Sequence, residues 1–424
     1  MRILQVASGD FTSTYGGGQV YVKNIVNCML EMGLNVSVLS FVETFSNRKT
    51  PHGNGTLYEV PNNIEEEQLS KIAKEINPDI IHAHSNKALI CRIGKKLNVP
   101  VVVTAHHGGI LCPGGAMMDS TDSICHCKLN HKDCLPCVLR NTRTGLHWWY
   151  PFMKYLPENK YVSLGRFLSK KTFIPFITPI GLGGLQIKSK IDYWKEVTEK
   201  CSTMIAPCNA IAEAMINNGL DKHKTIVLPH GIPFPKNQSK FPEIEDGKIK
   251  FFYVGRICYI KGIHVLLEAF HLIDNPHIKL HLIGGAVGNG ETRYMNSLQK
   301  KYARDKRIIW HGKIDSSKMF DTISQFHVGC APTICLEIFG LNIAEALAMG
   351  KPVLASRCGG AEMQIKDGVN GWLIDPNNVE ELRSALQNII ENPSVLSDMS
   401  AKCSAISIED HCNSLLKIYN RLLL

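Results

Sequence analysis

Short apolar runs alternate with longer segments of helical periodicity along the whole sequence, and this alternation leaves few folds open to the chain. In the first half, the runs RILQVAS, LNVSVLSFV, DIIHAH and VPVVVTAHH are separated by segments such as QVYVKNIVNCMLEMG. The apolar residues of that segment fall three or four positions apart, and a glycine follows them: Val22, Ile25, Val26, Met29, Leu30 and Gly33. Alternating strands and helices predict a parallel sheet covered by helices, so we expect a doubly wound α/β domain.

The second half repeats the pattern with the runs FFYVGR, KLHLIGG, IIWHG and VGCAPT, and helices are predicted through VLLEAFHLI, after Glu291 and near MFDTIS. Residues 228–249 are rich in Pro, Lys and Glu and lack apolar periodicity, which is typical of a domain boundary. A chain of 424 residues with 44% apolar composition also exceeds what one hydrophobic core usually organises. We predict an N-terminal domain over 1–234, a second α/β domain over 235–405 and a C-terminal helix over 406–424.

The N-terminal sequence MRILQVASGD runs from a single Arg into an apolar strand, without the apolar stretch of a secretory signal. The uncharged, apolar stretch 172–187 contains prolines and glycines and is too short to cross a bilayer. A cytoplasmic location is therefore expected. Most of the 15 cysteines, such as Cys28, Cys91 and Cys330, are then interpreted as reduced, buried apolar residues.

The most informative stretch for function is PTICLEIFGLNIAEALAMGKPVLAS. A loop with Glu337 and Gly340 runs directly into a short helix that contains Glu345 and ends at Gly350. The free N–H groups and the dipole of a helix N-terminus favour an anion such as a diphosphate. Glu345, one turn into the helix, could accept hydrogen bonds from the two vicinal hydroxyls of a ribose. Glu337 precedes the loop and is expected to face a sugar.

Two cations occupy the loop between strand and helix in FFYVGRICYIKGIHVLL, namely Arg256 and Lys261. Glycosyl transfer passes through an oxocarbenium-like state while negative charge grows on the leaving phosphate. Preorganised cations at that phosphate would supply a large part of the catalysis, at about 3 kcal/mol for each such donor.

These segments resemble the retaining glycosyltransferases of family four, including enzymes of bacterial glycan, glycolipid and cell-surface polysaccharide biosynthesis. In that family a Glu, seven residues and a second Glu form a motif, which Glu337 and Glu345 occupy here, followed by PVLASRCGGAEMQIKDGVNGWLIDP. The resemblance implies the GT-B fold: two Rossmann-like doubly wound domains facing across a cleft, with the C-terminal helix returning to the first domain. The N-terminal domain would bind the acceptor and the C-terminal domain the nucleotide sugar. It also implies that Arg256 and Lys261 bind the diphosphate. The donor would further contact the segment Phe339, Gly340, Leu341 and Asn342.

The same resemblance implies retention at the anomeric carbon, with the donor phosphate as base and no catalytic metal. The expected donor is a UDP-sugar, or next a GDP-sugar, and the acceptor a glycan, a lipid-linked sugar or a small molecule. A nucleotide-sugar epimerase or a phosphorylase on the same fold is the nearest alternative. A nucleic-acid-binding module would fit the net charge of +9, but no groove-reading motif supports it, so no nucleic-acid partner is expected.

In the first domain, Gly16, Gly17 and Gly18 lie between the first strand and the first helix, where backbone without side chains lets a ligand approach closely. The family resemblance places this loop beside the donor and gives VTAHH a histidine next to the donor sugar. His106 aligns best, and His107 is the alternative. His84, in DIIHAH, is a further candidate for the pocket, although a structural role is the favoured interpretation.

Five cysteines cluster in CPGGAMMDSTDSICHCKLNHKDCLPC, an insertion over 112–137. Cys125, Cys127, Cys134 and Cys137 would make a four-thiolate zinc site, and Cys112, His126 or His131 could substitute for one of them. An iron-sulfur cluster, disulfides and inert thiols are the alternatives. A structural metal in this insertion is expected to shape the acceptor pocket.

From Arg140 to Lys200 the sequence has eleven Lys or Arg residues against four Asp or Glu. Aromatic residues are interleaved with them: Trp148, Trp149, Tyr150, Phe152, Tyr155, Phe167, Phe173 and Phe176. Cations beside interfacial aromatics favour peripheral docking on an anionic surface at the inner face of a membrane, where a lipid-linked acceptor would be presented. An exposed domain face with ordinary core aromatics is the alternative.

Overall fold

The computed structural model describes residues 1–11, 16–43, 47–141, 159–160, 162–163, 167, 177–235 and 240–424. The chain divides into two compact units, here called the N-terminal unit (Met1–Leu228 with Cys412–Leu424) and the C-terminal unit (Pro229–His411). The division at 228/229 lies six residues before the predicted one. Within the described residues, no helix combines the length and apolarity needed to cross a bilayer.

The N-terminal unit is built on an eight-stranded sheet of order β3-β4-β2-β1-β5-β6-β7-β8. Its strands are β1 (Arg2–Ser8), β2 (Asn35–Val42), β3 (Arg48–His52), β4 (Gly55–Pro61), β5 (Ile80–Ala83), β6 (Val101–Thr104), β7 (Thr203–Ala206) and β8 (Thr225–Val227). Its helices are α1 (Gly17–Glu31), α2 (Glu66–Ile76), α3 (Lys87–Leu97), α4 (His131–Asn141), α5 (Ile177–Lys200) and α6 (Asn209–Asn217). All neighbouring strands are parallel except β3, which pairs antiparallel with β4 at the edge.

Burial explains why these segments form strands and helices. The inner five residues of β1 are buried on both faces, as expected for a strand between two helical layers. The predicted first helix is confirmed: Val22, Ile25, Val26 and Met29 are buried, and Gly33 follows the helix with a φ of 79°. A glycine in the left-handed backbone conformation commonly ends a helix.

The C-terminal unit contains a six-stranded parallel sheet of order β11-β10-β9-β12-β13-β14. Its strands are β9 (Lys250–Val254), β10 (Lys279–Ile283), β11 (Ile308–Gly312), β12 (Val328–Ala331), β13 (Val353–Ser356) and β14 (Gly371–Ile374). Its helices are α7 (Ile263–His271), α8 (Gly288–Lys301), α9 (Met319–Ser324), α10 (Leu341–Ala348), α11 (Gly360–Gln364), α12 (Val379–Glu391) and α13 (Val395–Ser400). Helix α14 (Ile408–Leu423) starts in this unit and continues into the N-terminal one.

The loops that carry the candidate site residues lie at the carboxyl ends of the central strands of each sheet. In the N-terminal unit, the loops after β1, β5 and β6 carry the glycine run, His84 and His106. In the C-terminal unit, the loops after β9 and β12 carry Lys261 and Glu337. Ligands of open α/β sheets bind at these ends, next to the point where the strand order reverses.

Candidate active site

The loop after β9 is held tightly against the loop after β12. Gly262 has a φ of +67°, and a Cβ atom there would lie 1.8 Å from the carbonyl oxygen of Pro332. The N–H of Ile334 donates to the carbonyl of Ile260 at 3.0 Å, which joins the two loops by backbone. Only glycine allows this approach, and it fixes the position of the neighbouring Lys261.

Lys261 and Glu337, which the sequence analysis identified as separate candidate site residues, form an ion pair. The Nζ atom of Lys261 donates to Oε2 of Glu337, and the hydroxyl of Thr333 donates to the same oxygen at 3.2 Å. Burial alone would lower the pKa of Lys261, but the charge and hydrogen bond of Glu337 offset this, so its pKa lies above the ordinary value. Lys261 therefore stays a cation, and two of its three N–H donors remain for a ligand.

Arg256 follows β9 but pairs with a residue that the sequence analysis did not nominate for the site. Its Nε atom lies 3.6 Å from Oε1 of Glu291, in the first turn of α8, and its side chain is about half exposed (49%). Helix α8 begins at Gly288, before Glu291, whereas the sequence predicts a start after Glu291. An exposed pair of this kind contributes little to stability, so Arg256 can leave it for a ligand.

Helix α10 starts as the sequence predicts. Gly340 is its N-cap, with a φ of +81° and no side-chain capping bond. In the described part of the chain, the N–H groups of Leu341 and Asn342 have no acceptor, since the first internal bonds run from Ile343 and Ala344 to the carbonyl of Gly340. Two free donors at a helix N-terminus suit an anionic ligand.

Glu345 lies one turn into α10, partly buried, and no described residue hydrogen-bonds its carboxylate. Burial raises its pKa from an ordinary 4.5 to about 7. A carboxylate without protein partners at such a position is costly unless a ligand supplies donors, and perturbed groups of this kind cluster at functional sites.

Phe339 contributes to the site through its backbone, because its side chain belongs to the core. The ring is 5% exposed and lies in one cluster with Ile232, Ala344 and Ala348. The Nε2 atom of Gln364, a residue not nominated from sequence, donates to the carbonyl of Phe339. This arrangement holds the Glu337–Gly340 loop rigidly at the helix start.

The N-terminal unit has a pocket of about 550 Å³ at the carboxyl ends of β1, β5 and β6. Several nominated residues line it: Gly16, Gly18, His84, His106 and His107. Gly16 has a φ of +96°, and a Cβ on Gly18 would lie 3.8 Å from the ring of His106. Gly17 is exposed as the first residue of α1, and the chain preceding Gly16, at 12–15, lies outside the described residues.

A chain of buried hydrogen bonds leads to His106. The Nε2 of Gln5 donates to the hydroxyl of Tyr419 at 3.2 Å, so its oxygen accepts from Nε2 of His84 at 2.8 Å. Nδ1 of His84 then accepts from Nε2–H of His106, also at 2.8 Å. For neutral rings these bonds set the tautomers, with the proton of His106 on Nε2. His84, interpreted as structural from the sequence, thus lines the pocket and orients His106.

Two lysines that the sequence analysis did not nominate also line this pocket, Lys87 and Lys190. Lys87 is the first residue of α3 and is 6% exposed, and Lys190 lies on α5. His107 is exposed, but partial burial of its ring and the charges of Lys87 and Lys190 lower its pKa. No local motif marks these lysines, because separate helices bring them to the pocket.

The five clustered cysteines are all free thiols. Burial raises the pKa of Cys125 and Cys134 to about 12 and that of Cys137 to about 11, and neighbouring thiols add to this. Cys127 is exposed, and Cys134 and Cys137 lie on one helix, α4. Across the ranges that the structure describes, no three His, Cys, Asp or Glu side chains are arranged to hold a metal ion. The expected four-thiolate geometry is therefore not formed, and metal binding stays a prediction.

Most of the basic, aromatic stretch after Arg140 lies outside the described residues, including Trp148, Trp149, Tyr150, Phe152, Tyr155, Phe173 and Phe176. Phe167 is described and is 55% exposed. Docking on an anionic membrane stays a prediction.

Comparison with known proteins gives matches in both units. A family model described as "Glycosyl transferases group 1" matches residues 235–406, and one described as "Glycosyltransferase Family 4" matches residues 15–117. A D-inositol 3-phosphate glycosyltransferase of Arthrobacter sp. is 30% identical over 41% of this chain and 41% of its own length. The alignments span about half the length of the curated relatives that the chain matches.

Solved structures are similar over the full chain. The Anabaena protein HepE in complex with UDP has a TM-score of 0.68 at 17% identity, covering 99% of this chain and 100% of that one. Sucrose-phosphate synthase from Thermosynechococcus elongatus has a TM-score of 0.68 at 18% identity, covering 100% and 99%. These likenesses confirm the predicted GT-B fold class of two Rossmann-like domains.

Proposed function

The chain belongs to glycosyltransferase family 4, and we propose that it transfers a sugar from a UDP-sugar to a hydroxyl group of an acceptor with retention at the anomeric carbon. The observation that carries this proposal is the juxtaposition of Lys261 with Glu337 beside the uncapped start of α10. UDP is favoured over GDP because HepE, a protein of the same fold, is solved in complex with UDP.

Each nominated group in the C-terminal unit has a chemical role in this proposal. Lys261 and the free N–H groups at Leu341 and Asn342 bind the diphosphate and stabilise the charge that grows on it as the sugar departs. Arg256 adds a second cation. Glu337, held by Lys261 and Thr333, presents its other carboxylate oxygen to hydroxyls of the donor sugar.

Glu345 is the ribose ligand in this proposal. A carboxylate accepts hydrogen bonds from both vicinal hydroxyls, which would satisfy a group that the protein leaves without partners. In the N-terminal unit, Gln5 and His84 hold the ring orientation of His106, which is the histidine proposed to contact the donor sugar. The phosphate released from the sugar takes the proton of the attacking hydroxyl.

The test is a thermal-shift comparison of UDP with uridine, and of UDP with GDP, ADP and TDP, on the native protein and on Lys261→Met. Each charge-assisted hydrogen bond to phosphate is worth about 1.5–3 kcal/mol, so UDP should bind far more tightly than uridine in the native protein. The ratio of the affinity for UDP to the affinity for uridine should be about tenfold or more lower in Lys261→Met than in the native protein. Lys248→Met, at an exposed lysine paired with Asp246, is the matched control and should retain it.

Equal stabilisation by uridine and UDP, or an undiminished difference in Lys261→Met, would contradict the diphosphate site. A nucleotide other than UDP that stabilises the native protein alone would correct the donor base and leave the transferase proposal standing. Stabilisation by none of the nucleotides would remove its central support.

A further inference from the structure

Among the described residues, cationic side chains line the pocket of the N-terminal unit and carboxylates do not. Lys87 and Lys190 line it together with three histidines, whereas no Asp or Glu is found among the described residues that line it. Buried ammonium groups in proteins are usually paired with carboxylates, because an unpaired charge is expensive to remove from water. The charge balance of this pocket therefore depends on what binds in it.

Lys87 is the more deeply buried of the two cations. Its Nζ atom donates one hydrogen bond, to the carbonyl oxygen of His84 at 2.6 Å. Burial, together with the charge of Lys190, lowers its pKa to about 8, and no described carboxylate raises it. The protein thus retains an ammonium group at a cost that no described acidic residue offsets.

Lys190 reaches the same pocket from α5. Its Nζ atom donates to the carbonyl oxygen of Gly109 at 2.6 Å and lies 4.7 Å from the ring centre of Tyr193. Burial lowers the pKa of Lys190 as well. An ammonium has three N–H donors, so each lysine is fixed in position by one bond and keeps donors for a ligand.

The start of α3 adds further donors to this pocket. Ser85, Asn86 and Lys87 line it, and the eleven-residue helix has no side-chain cap and no acidic residue in its first turn. In the described part of the chain, no acceptor meets the N–H groups of Lys87 and Ala88. These donors and the helix dipole favour negative charge next to the two lysines.

We propose that this pocket binds a phosphoryl group carried by the acceptor, with Lys87, Lys190 and the start of α3 as its ligands. Two unpaired ammonium groups match the charge of a phosphate monoester near neutral pH better than that of a single carboxylate. The pocket is larger than a phosphate, and His106 lines it too, so it has room for more of the acceptor than the phosphoryl group. The inference rests on the proposed transferase function, since it names the acceptor of that reaction.

The test is calorimetric titration of inorganic phosphate into the full chain saturated with UDP. UDP occupies the place of the donor diphosphate, so phosphate that still binds must occupy a second site. Lys190→Met should weaken this binding about tenfold or more, by loss of one charged hydrogen bond, and Lys190→Arg should restore part of it. Lys188→Met is the matched control, because Lys188 lies on the same helix and pairs with Asp192.

The outcomes separate this inference from the proposed function. Phosphate that competes with UDP, fails to bind, or binds Lys190→Met as tightly as the native protein overturns the acceptor site, even if UDP binding stands. Failure of UDP to bind contradicts the proposed function, whereas the Lys190 dependence of phosphate binding still decides whether the pocket is an anion site.

A second arm identifies the source of the phosphoryl group. Flotation with phosphatidylcholine vesicles, with and without phosphatidic acid, is compared with titration of a soluble hexose phosphate. Vesicle binding that requires phosphatidic acid, falls in Lys190→Met and is displaced by phosphate supports a lipid-linked acceptor. Binding of the hexose phosphate alone, with the same dependence on Lys190, supports a soluble one. Hexose phosphate binding that does not depend on Lys190 is evidence against the pocket.

Discussion

Replacing Glu345 with Gln should stabilise the unliganded protein while weakening its nucleotide site. Burial holds the pKa of Glu345 near 7, against 4.5 when it is exposed. The folded state therefore keeps a proton that the unfolded chain has already lost, and the free energy of unfolding falls as the pH rises from 4.5 to 7. Each pKa unit is worth about 1.4 kcal/mol, which gives a cost of at most about 3 kcal/mol above pH 7. Partial exposure of the side chain reduces this to about 1–2 kcal/mol.

The assay is urea unfolding of the native protein, Glu345→Gln and the control Glu391→Gln at pH 5 and pH 8. Glu391 is an exposed residue at the end of α12. Glu345→Gln should be more stable than the native protein at pH 8 by about 1–2 kcal/mol and nearly equal to it at pH 5, while the control changes little. Buried histidines with lowered pKa values, such as His281 and His327, also make stability depend on pH. Their contribution cancels when variants are compared, because every variant contains them.

Binding gives the second half of this prediction. UDP should bind the native protein more tightly than 2′-deoxy-UDP, and Glu345→Gln should lose most of that preference because an amide offers one acceptor oxygen instead of two. The stability advantage of Glu345→Gln over the native protein should be larger at pH 8 than at pH 5. An equal advantage at both pH values would refute the cost assigned to ionising Glu345. A retained preference for UDP would refute the ribose contact.

Three further predictions test other parts of the structure. Gly360→Ala should lose about 1–3 kcal/mol of stability in urea, because its Cβ would lie 2.4 Å from a backbone oxygen, whereas Gly290→Ala, with open space, should lose none. His84→Phe should lower kcat with little change in the KM for the donor, because it removes the acceptor that orients His106 and leaves the groups proposed to bind the donor in place; an equal loss in donor binding would indicate a purely structural role. Metal analysis of the purified protein should find one equivalent of zinc or iron that is lost in Cys134→Ser, and its absence from the native protein would leave the thiols inert.

The parts of the fold that follow a hydrophobic pattern could be predicted from the sequence. The central strands and α1 were, because burial on fixed faces imposes periodicity on their residues. The edge strand β3 was not, since it is almost entirely exposed and carries Pro51 within it. An edge strand facing solvent has no apolar alternation to reveal it.

The same distinction separates the two halves of the candidate site. Glu337 and Glu345 lie within one loop-helix segment, so their spacing is visible in the sequence. The bonds that orient His106 depend on Tyr419, which lies 414 residues from its partner Gln5, and no local pattern can indicate such a contact. Lys87 and Lys190 escaped notice for the same reason: each is an ordinary lysine until the fold brings two helices to one pocket.

Retaining transfer from a UDP-sugar is tested most directly by following UDP-glucose with the full chain by proton NMR without an added acceptor, so that water attacks. Slow release of UDP and glucose is expected, with the α anomer appearing first and the β anomer growing only as the free sugar equilibrates. Initial appearance of the β anomer would contradict retention, and the absence of UDP release from UDP-glucose and other UDP-sugars would contradict the proposed transferase activity.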